Sequence, residues 1–259
     1  MKRLLLIIPG ILFFFTSLSQ INTERYYQDS NKPGFIFNNS LGFNFSRGNT
    51  NDLELLENFR VDYKGSSRDY LLIVEYEFKS KEKNITSNNG FIHLRAIQKL
   101  PNQDFLLAEA YSQFQFDEFI LLSSRYLAGG GLRFNPLALI DTTNRPAKNM
   151  KAFIGSGFFY EFEHYEVENN PTKHTVRWSS YLSLIYAPAK HLSLNIVNYI
   201  QPAINHFENY RYTLNLNMST LITNKLFYDV QLSFIHRSIP VGGKKPDDLE
   251  IKNTFRIKF

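Results

Sequence analysis

The chain has 259 residues and a formal net charge of +5; 24 Phe and 15 Tyr make it aromatic-rich, yet mean hydropathy is −0.28. It contains no cysteine, which excludes a disulfide framework, a thiolate metal site and a lipidated-cysteine anchor. The mild positive charge gives nucleic acid little to hold, and past the N-terminus no apolar run approaches the roughly 20 residues of a spanning helix.

The first 20 residues, "MKRLLLIIPGILFFFTSLSQ", carry two basic residues, an apolar run from Leu4 to Phe15 and a small-residue stretch at Ser17 and Ser19. This is the layout of a cleaved secretory signal peptide. Residues 21–34 are expected to form a short N-terminal periplasmic segment, and 35–259 a single β domain.

From Phe35 onward, segments of about ten or more residues alternate apolar and polar side chains, the period of a strand. "GFIFNNSLGFNFS" sets Phe35, Phe37, Leu41, Phe43 and Phe45 against Asn38, Ser40, Gly42 and Asn44. "DLELLENFRVDYK" and "DYLLIVEYEFKSK" continue the pattern, followed by "NNGFIHLRAIQKL", "DFLLAEAYSQFQF", "FILLSSRYLAGGGLRFN" and "KAFIGSGFFYEFEHY". After Pro171 come "HTVRWSSYLSLIYA", "HLSLNIVNYIQ", "FENYRYTLNLNMSTL", "KLFYDVQLSFIHR" and "LEIKNTFRIKF". These give an all-β fold, a transmembrane antiparallel β-barrel of about 12 strands. Outward and inward residues cancel in any hydropathy window, which reconciles the aromatic content with the low mean.

With both termini on the periplasmic side, even-numbered strands should be followed by short turns and odd-numbered ones by longer external loops. "KGSSRD", "PNQD", "PAKH" and "ITNK" fit the first set, and "KSKEKNITSNN", "EVENNPTKH" and "SIPVGGKKPDD" the second. Two connections run against the rule: "FDEF" is tight and "PLALIDTTNRPAKNM" is long. Either the count is off by a hairpin near residues 105–135, or residues 136–150 form a real periplasmic feature.

The last strand is expected to close the barrel against the first. Its end resembles the C-terminal signal read by the outer-membrane assembly machinery: Ile257 and Phe259 match the two final hydrophobic positions and Lys252 the leading polar one, while Thr254 stands where that pattern commonly has Gly.

The less apolar face collects Glu54, Arg60, Asp62, Glu75, Glu77, Arg95, Glu109, Arg125, Arg133, Glu161, Glu163, Arg177, Arg211, Asp229, Lys252 and Arg256. Two readings stay open for these charges: an aqueous pore with fixed-charge selectivity, or a lumen filled by salt-bridged side chains. Catalytic signals are thin. His236 lies on the apolar face with Ser238 two residues on, but nothing in the sequence supplies an orienting third group. His164, His174 and His206 lie in or beside expected external loops and read as solvated residues rather than a metal site. "AGGGLRF" sits inside an alternating strand without the following helix that a phosphate loop needs.

The stretch "GFNFSRGNTNDLELLENFRVDY", a strand, a "GNT" turn and a second alternating strand, resembles the DUF481 family, which includes salt-induced outer-membrane proteins. "YLAGGGLRFN" is similar to that family's glycine-rich mid-chain strand, and the pattern extends over most of residues 35–259. The resemblance implies an outer-membrane barrel and brings no catalytic residues and no cofactor. The expected protein is therefore non-enzymatic, sits in the outer membrane of a Gram-negative cell, and has the lipid bilayer and the assembly machinery as partners. It would serve envelope integrity or limited passage of small polar solutes. A lipid-modifying, phospholipase-like hydrolase and a secreted ligand-binding barrel are the alternatives.

Overall fold

The computed structural model describes residues 33–48, 51–139, 149–169, 172–189, 191–224, 226–241, 243 and 245–257. The expected signal peptide, most of the 21–34 segment and Phe259 lie outside the described residues, and of the assembly signal only Lys252 and the backbone of Ile257 fall within them.

Among the described residues twelve strands follow one another: β1 (Gly34–Ser46), β2 (Asp52–Lys64), β3 (Arg68–Lys81), β4 (Asn84–Leu100), β5 (Gln103–Asp117), β6 (Leu122–Phe134), β7 (Met150–Tyr165), β8 (Thr172–Ala189), β9 (Leu192–Ala203), β10 (His206–Leu221), β11 (Leu226–Arg237) and β12 (Asp247–Ile257). They form one sheet in chain order, each strand antiparallel to its neighbours. A ladder between β12 and β1 is not among those of the described residues; β12 pairs with β11 from Ile257↔Leu226 to Asp247↔His236.

The sheet is rolled. Arg95 of β4 donates to the Tyr181 hydroxyl of β8 at 3.0 Å, although four inter-strand steps in a flat sheet would separate those strands by about 19 Å. The rolling sorts the side chains. Phe37, Leu94, Tyr126, Phe158, Leu182 and Phe255 stay exposed on the outer face, whereas Arg60, Arg95, Arg133 and Glu161 are buried inside. In water such an aromatic outer face would be an aggregation surface, and in a bilayer it is solvated.

The doubt around residues 105–150 resolves in favour of the original count. "FDEF" is a true connection: the Asp117 carboxylate caps a single 3-10 turn (Glu118–Ile120) by accepting from Phe119 N at 3.0 Å and Ile120 N at 3.3 Å, and Leu121 turns the chain at φ +60°. Between β6 and β7 the described part of the chain holds a 3-10 turn at Pro136–Leu139, and residues 140–148 lie outside the described residues. The glycine run lies within β6, as its alternation implied. A Cβ on Gly131 would stand 2.4 Å from the Ser156 carbonyl oxygen, and one on Gly157 would stand 2.3 Å from that of Gly130. Side chains there would force β6 and β7 apart, so the glycines permit the tight curvature.

One expected long loop is not a loop. "KSKEKNITSNN" is mostly strand, with β3 running to Lys81 and β4 starting at Asn84, joined by Glu82 and Lys83 at φ +50° and +67°. This is the two-residue hairpin geometry that matches strand twist.

Candidate functional site: the charged lumen

Alternation assigns each strand an inner row, and the inner rows carry charge at three depths. Nearest the end that bears the β2–β3 and β4–β5 turns, Arg60 chelates Asp62 two residues on, with Nε–Oδ2 at 2.5 Å and Nη2–Oδ1 at 2.6 Å. Both are nearly solvent-free.

At mid-depth Arg95 of β4 is ion-paired with Glu109 of β5. The Tyr181 hydroxyl of β8 accepts from Arg95 and donates to Glu109 Oε2 at 3.0 Å. This crossbar exists because β7 offers no side chain beneath the ring: a Cβ on Gly155 would lie 1.9 Å from Tyr181 Cε1.

At the end that bears the odd-numbered connections, Glu161 of β7 gathers three guanidiniums. Arg125 Nη2 reaches Oε2 at 2.7 Å, Arg211 Nη1 reaches Oε2 at 2.8 Å, and Arg177 Nε reaches Oε1 at 2.5 Å. Arg211 also donates to Glu163 at 2.7 Å. Arg177 spends its remaining donors on the carbonyls of Gln201 and Asn209 and on Asn209 Oδ1. Buried charge is tolerable only when paired and hydrogen-bonded in this way.

The other candidate charges sit among these layers. Glu54 and Glu77 share Lys79 at 3.2 and 3.4 Å, Glu75 accepts from Asn58 at 2.7 Å, and Asp229 accepts from Ser219 at 2.5 Å. Arg133 lies over the Phe153 ring at 3.7 Å. Lys252 meets Glu250 at 2.9 Å on the exposed β12, and Arg256 stands opposite Phe227 in register.

Between the layers the lumen narrows to small spaces. A cavity of about 40 Å³ at mid-depth is lined by His93, Gln113, Tyr111, Phe159, Tyr181 and Gln201 among others. A second, of about 30 Å³, is lined by Lys173, Arg177, Arg211 and Arg237 with Glu163. Above it Ile120, Leu122 and Tyr165 form a buried apolar cluster, with Val167 and Val241 packed on it from two connections.

Sequence reasoning passed over His93, Tyr181 and Gln201. The signal that finds them is parity: each lies an even number of positions from Arg95, Arg177 or Val197 on its own strand, and so faces the lumen with it.

One expectation is overturned outside the barrel. His236 does have an orienting group, since Asp247 on the partner strand places Oδ1 2.7 Å from its Nδ1. The Ser238 hydroxyl accepts from Tyr210 N at 2.8 Å. His164 and His174 are each bound to a neighbour, Thr172 at 3.2 Å and the Tyr160 hydroxyl at 2.6 Å respectively, and among the described residues no cluster of three His, Asp or Glu side chains could hold a metal.

Antiparallel strands in chain order, aromatic outside and ion-paired within, define a transmembrane β-barrel of the outer-membrane type. The chain belongs to the DUF481 family, described as a protein of unknown function, whose pattern matches residues 40–259. Among solved structures it is similar to one described as the NanC porin in a rhombohedral crystal form, with a TM-score of 0.50 at 8% identity, covering 80% of this chain and 94% of that one. At that identity the likeness is one of fold. No curated protein matches the chain.

Proposed function

We propose that the protein is a non-enzymatic outer-membrane barrel giving narrow passage to small polar solutes, not a wide pore. The observation that carries this reading is the cross-lumen bonding, Arg95 to Tyr181 at mid-depth and Glu161 to three arginines beyond it. Among the spaces they leave are cavities of about 40 and 30 Å³. In this reading the chain is exported through its signal peptide and folded by the assembly machinery. The odd-numbered connections face the outside. The likeness to a porin supports an outer-membrane site and a non-enzymatic role.

The test is planar-bilayer conductance of the mature chain, refolded in detergent and verified by heat modifiability. Wild type should give small, discrete steps. Glu161→Gln removes the carboxylate that three guanidiniums share and should shift the reversal potential in a salt gradient toward anion preference. Absence of steps in both forms would reject passage and leave a sealed structural barrel.

The His236–Asp247 pair on the outer face supports a second reading, a lipid hydrolase. Fatty-acid release from phospholipid vesicles that disappears in His236→Ala would establish it, and no release from wild type would remove it.

A further inference from the structure

Resting on the narrow-passage reading, we infer that the cavity at the end bearing the odd-numbered connections is a site for one small monovalent anion of the halide kind, through which the passage prefers anions to cations. Charge, donors, cover and size each point to that class.

The lining sets Lys173, Arg177, Arg211 and Arg237 against Glu163. That carboxylate is already engaged: Arg211 donates to it at 2.7 Å and Arg125 Nε stands 3.4 Å away. Glu161 lies behind the lining, its two oxygens taken by Arg125, Arg177 and Arg211. Asp117 and Asp248 act on Arg237 from β5 and β12. With Arg125 counted among the cations and these three carboxylates added to Glu163, positive charge is still in excess by one. In a low-dielectric wall that excess reaches into the cavity instead of being screened by water.

The donors lie where a ligand can meet them. Lys173 is half-buried and makes no ion pair among the described residues; its Nζ stands 5.4 Å from the centre of the Tyr165 ring, whose face supplies only a partial counter-charge. Thr175, two residues on along the same inner row, adds a hydroxyl to the lining. Ammonium and guanidinium groups donate and never accept, so the ligand that satisfies them is an acceptor carrying negative charge.

The cover is apolar. Ile239 and Val241 wall the cavity, contribute no counter-charge and thin the water around it, which strengthens attraction inside.

Size narrows the class. One water needs about 10–15 Å³ of such space, so about 30 Å³ holds about two water-sized groups. A chloride ion fits, whereas the five heavy atoms of a phosphate or the longer skeleton of an organic acid do not.

The experiment is planar-bilayer recording of the mature, refolded barrel, with reversal potentials in a potassium chloride gradient and step sizes in potassium chloride against potassium gluconate. Wild type should prefer chloride to potassium, its steps should shrink in gluconate at equal potassium, and its conductance should saturate as chloride is raised. Lys173→Gln should lower the chloride-to-potassium permeability ratio about 10-fold, the scale of one hydrogen bond to a charged group. Lys173→Arg should keep the ratio near wild type. The wild-type recordings decide the matter even if a variant misfolds. Steps with no anion preference, or of equal size in chloride and gluconate, overturn the anion site and leave the passage reading standing. Anion preference with conductance that rises linearly overturns the site in favour of a diffuse positive field. Absence of steps in every salt rejects the site and the passage together.

Discussion

Gly155 and Tyr181 show how one missing side chain shapes the lumen. The Tyr181 ring lies where a Cβ on Gly155 would be, and only from there does its hydroxyl reach both Arg95 and Glu109. Gly155→Ala should therefore displace the ring and break the crossbar while sparing the Arg95–Glu109 pair. The expected result is larger conductance steps and a lower unfolding temperature on semi-native gels, with overpacking costing about 1–3 kcal/mol. Steps of wild-type size from a folded variant would show that the crossbar does not set the constriction. The inward placement of these residues was legible, because period two assigns every strand residue to a face. Their partners were not. Alternation says that Arg95 and Tyr181 both point inward, but that β4 and β8 meet across the lumen depends on how tightly the sheet rolls. The His236–Asp247 pair was hidden for a related reason: it depends on the register of β11 against β12 across a connection whose length does not fix it.

At the scale of elements, alternation carried the strand count and the parity of the connections tested it, and the departures from parity have local physical causes. Asp117 makes a tight β5–β6 connection possible by capping its own turn. The β3–β4 hairpin went unread because it lacks the Asn-Gly or Asp-Gly signature of its turn type. Two ordinary residues take positive φ there, and Glu82 is held by accepting from Asn51 N at 2.8 Å across to the β1–β2 connection. Among the described residues no hydrogen bond to its side chain holds Lys83, which sits at φ +67°. Lys83→Gly should relieve the left-handed strain and stabilise the barrel by about 1 kcal/mol. This would appear as a raised urea midpoint at unchanged slope. A midpoint that stays put or falls would mean that the strain is absorbed elsewhere.

For the molecule as a whole, the question is what closes the barrel end that carries the odd-numbered connections. The sequence places "SIPVGGKKPDD" among the longer external loops, yet its Val241 packs on Ile120, Leu122 and Tyr165. Ile239 and Val241 also wall the cavity that holds Lys173, Arg177, Arg211 and Arg237. Two forces therefore act on position 241: apolar burial, which seats the connection, and a nearby excess of positive charge, which would repel a cation. Val241→Lys turns both against seating, since a buried ammonium loses hydration without finding a counter-ion. The connection should leave the cluster. Conductance steps should then grow, because the apolar cover over the Glu161 layer is withdrawn, and trypsin should cut within residues 238–246 of the folded barrel faster than in wild type. Val241→Thr, close in size and uncharged, separates the two forces by keeping the contact shape without the charge. Its conductance should stay close to wild type. Larger steps in Val241→Thr as well would assign the closure to apolar packing alone, whereas unchanged steps in Val241→Lys would show that the constriction lies deeper, at the Glu161 layer or the Tyr181 crossbar.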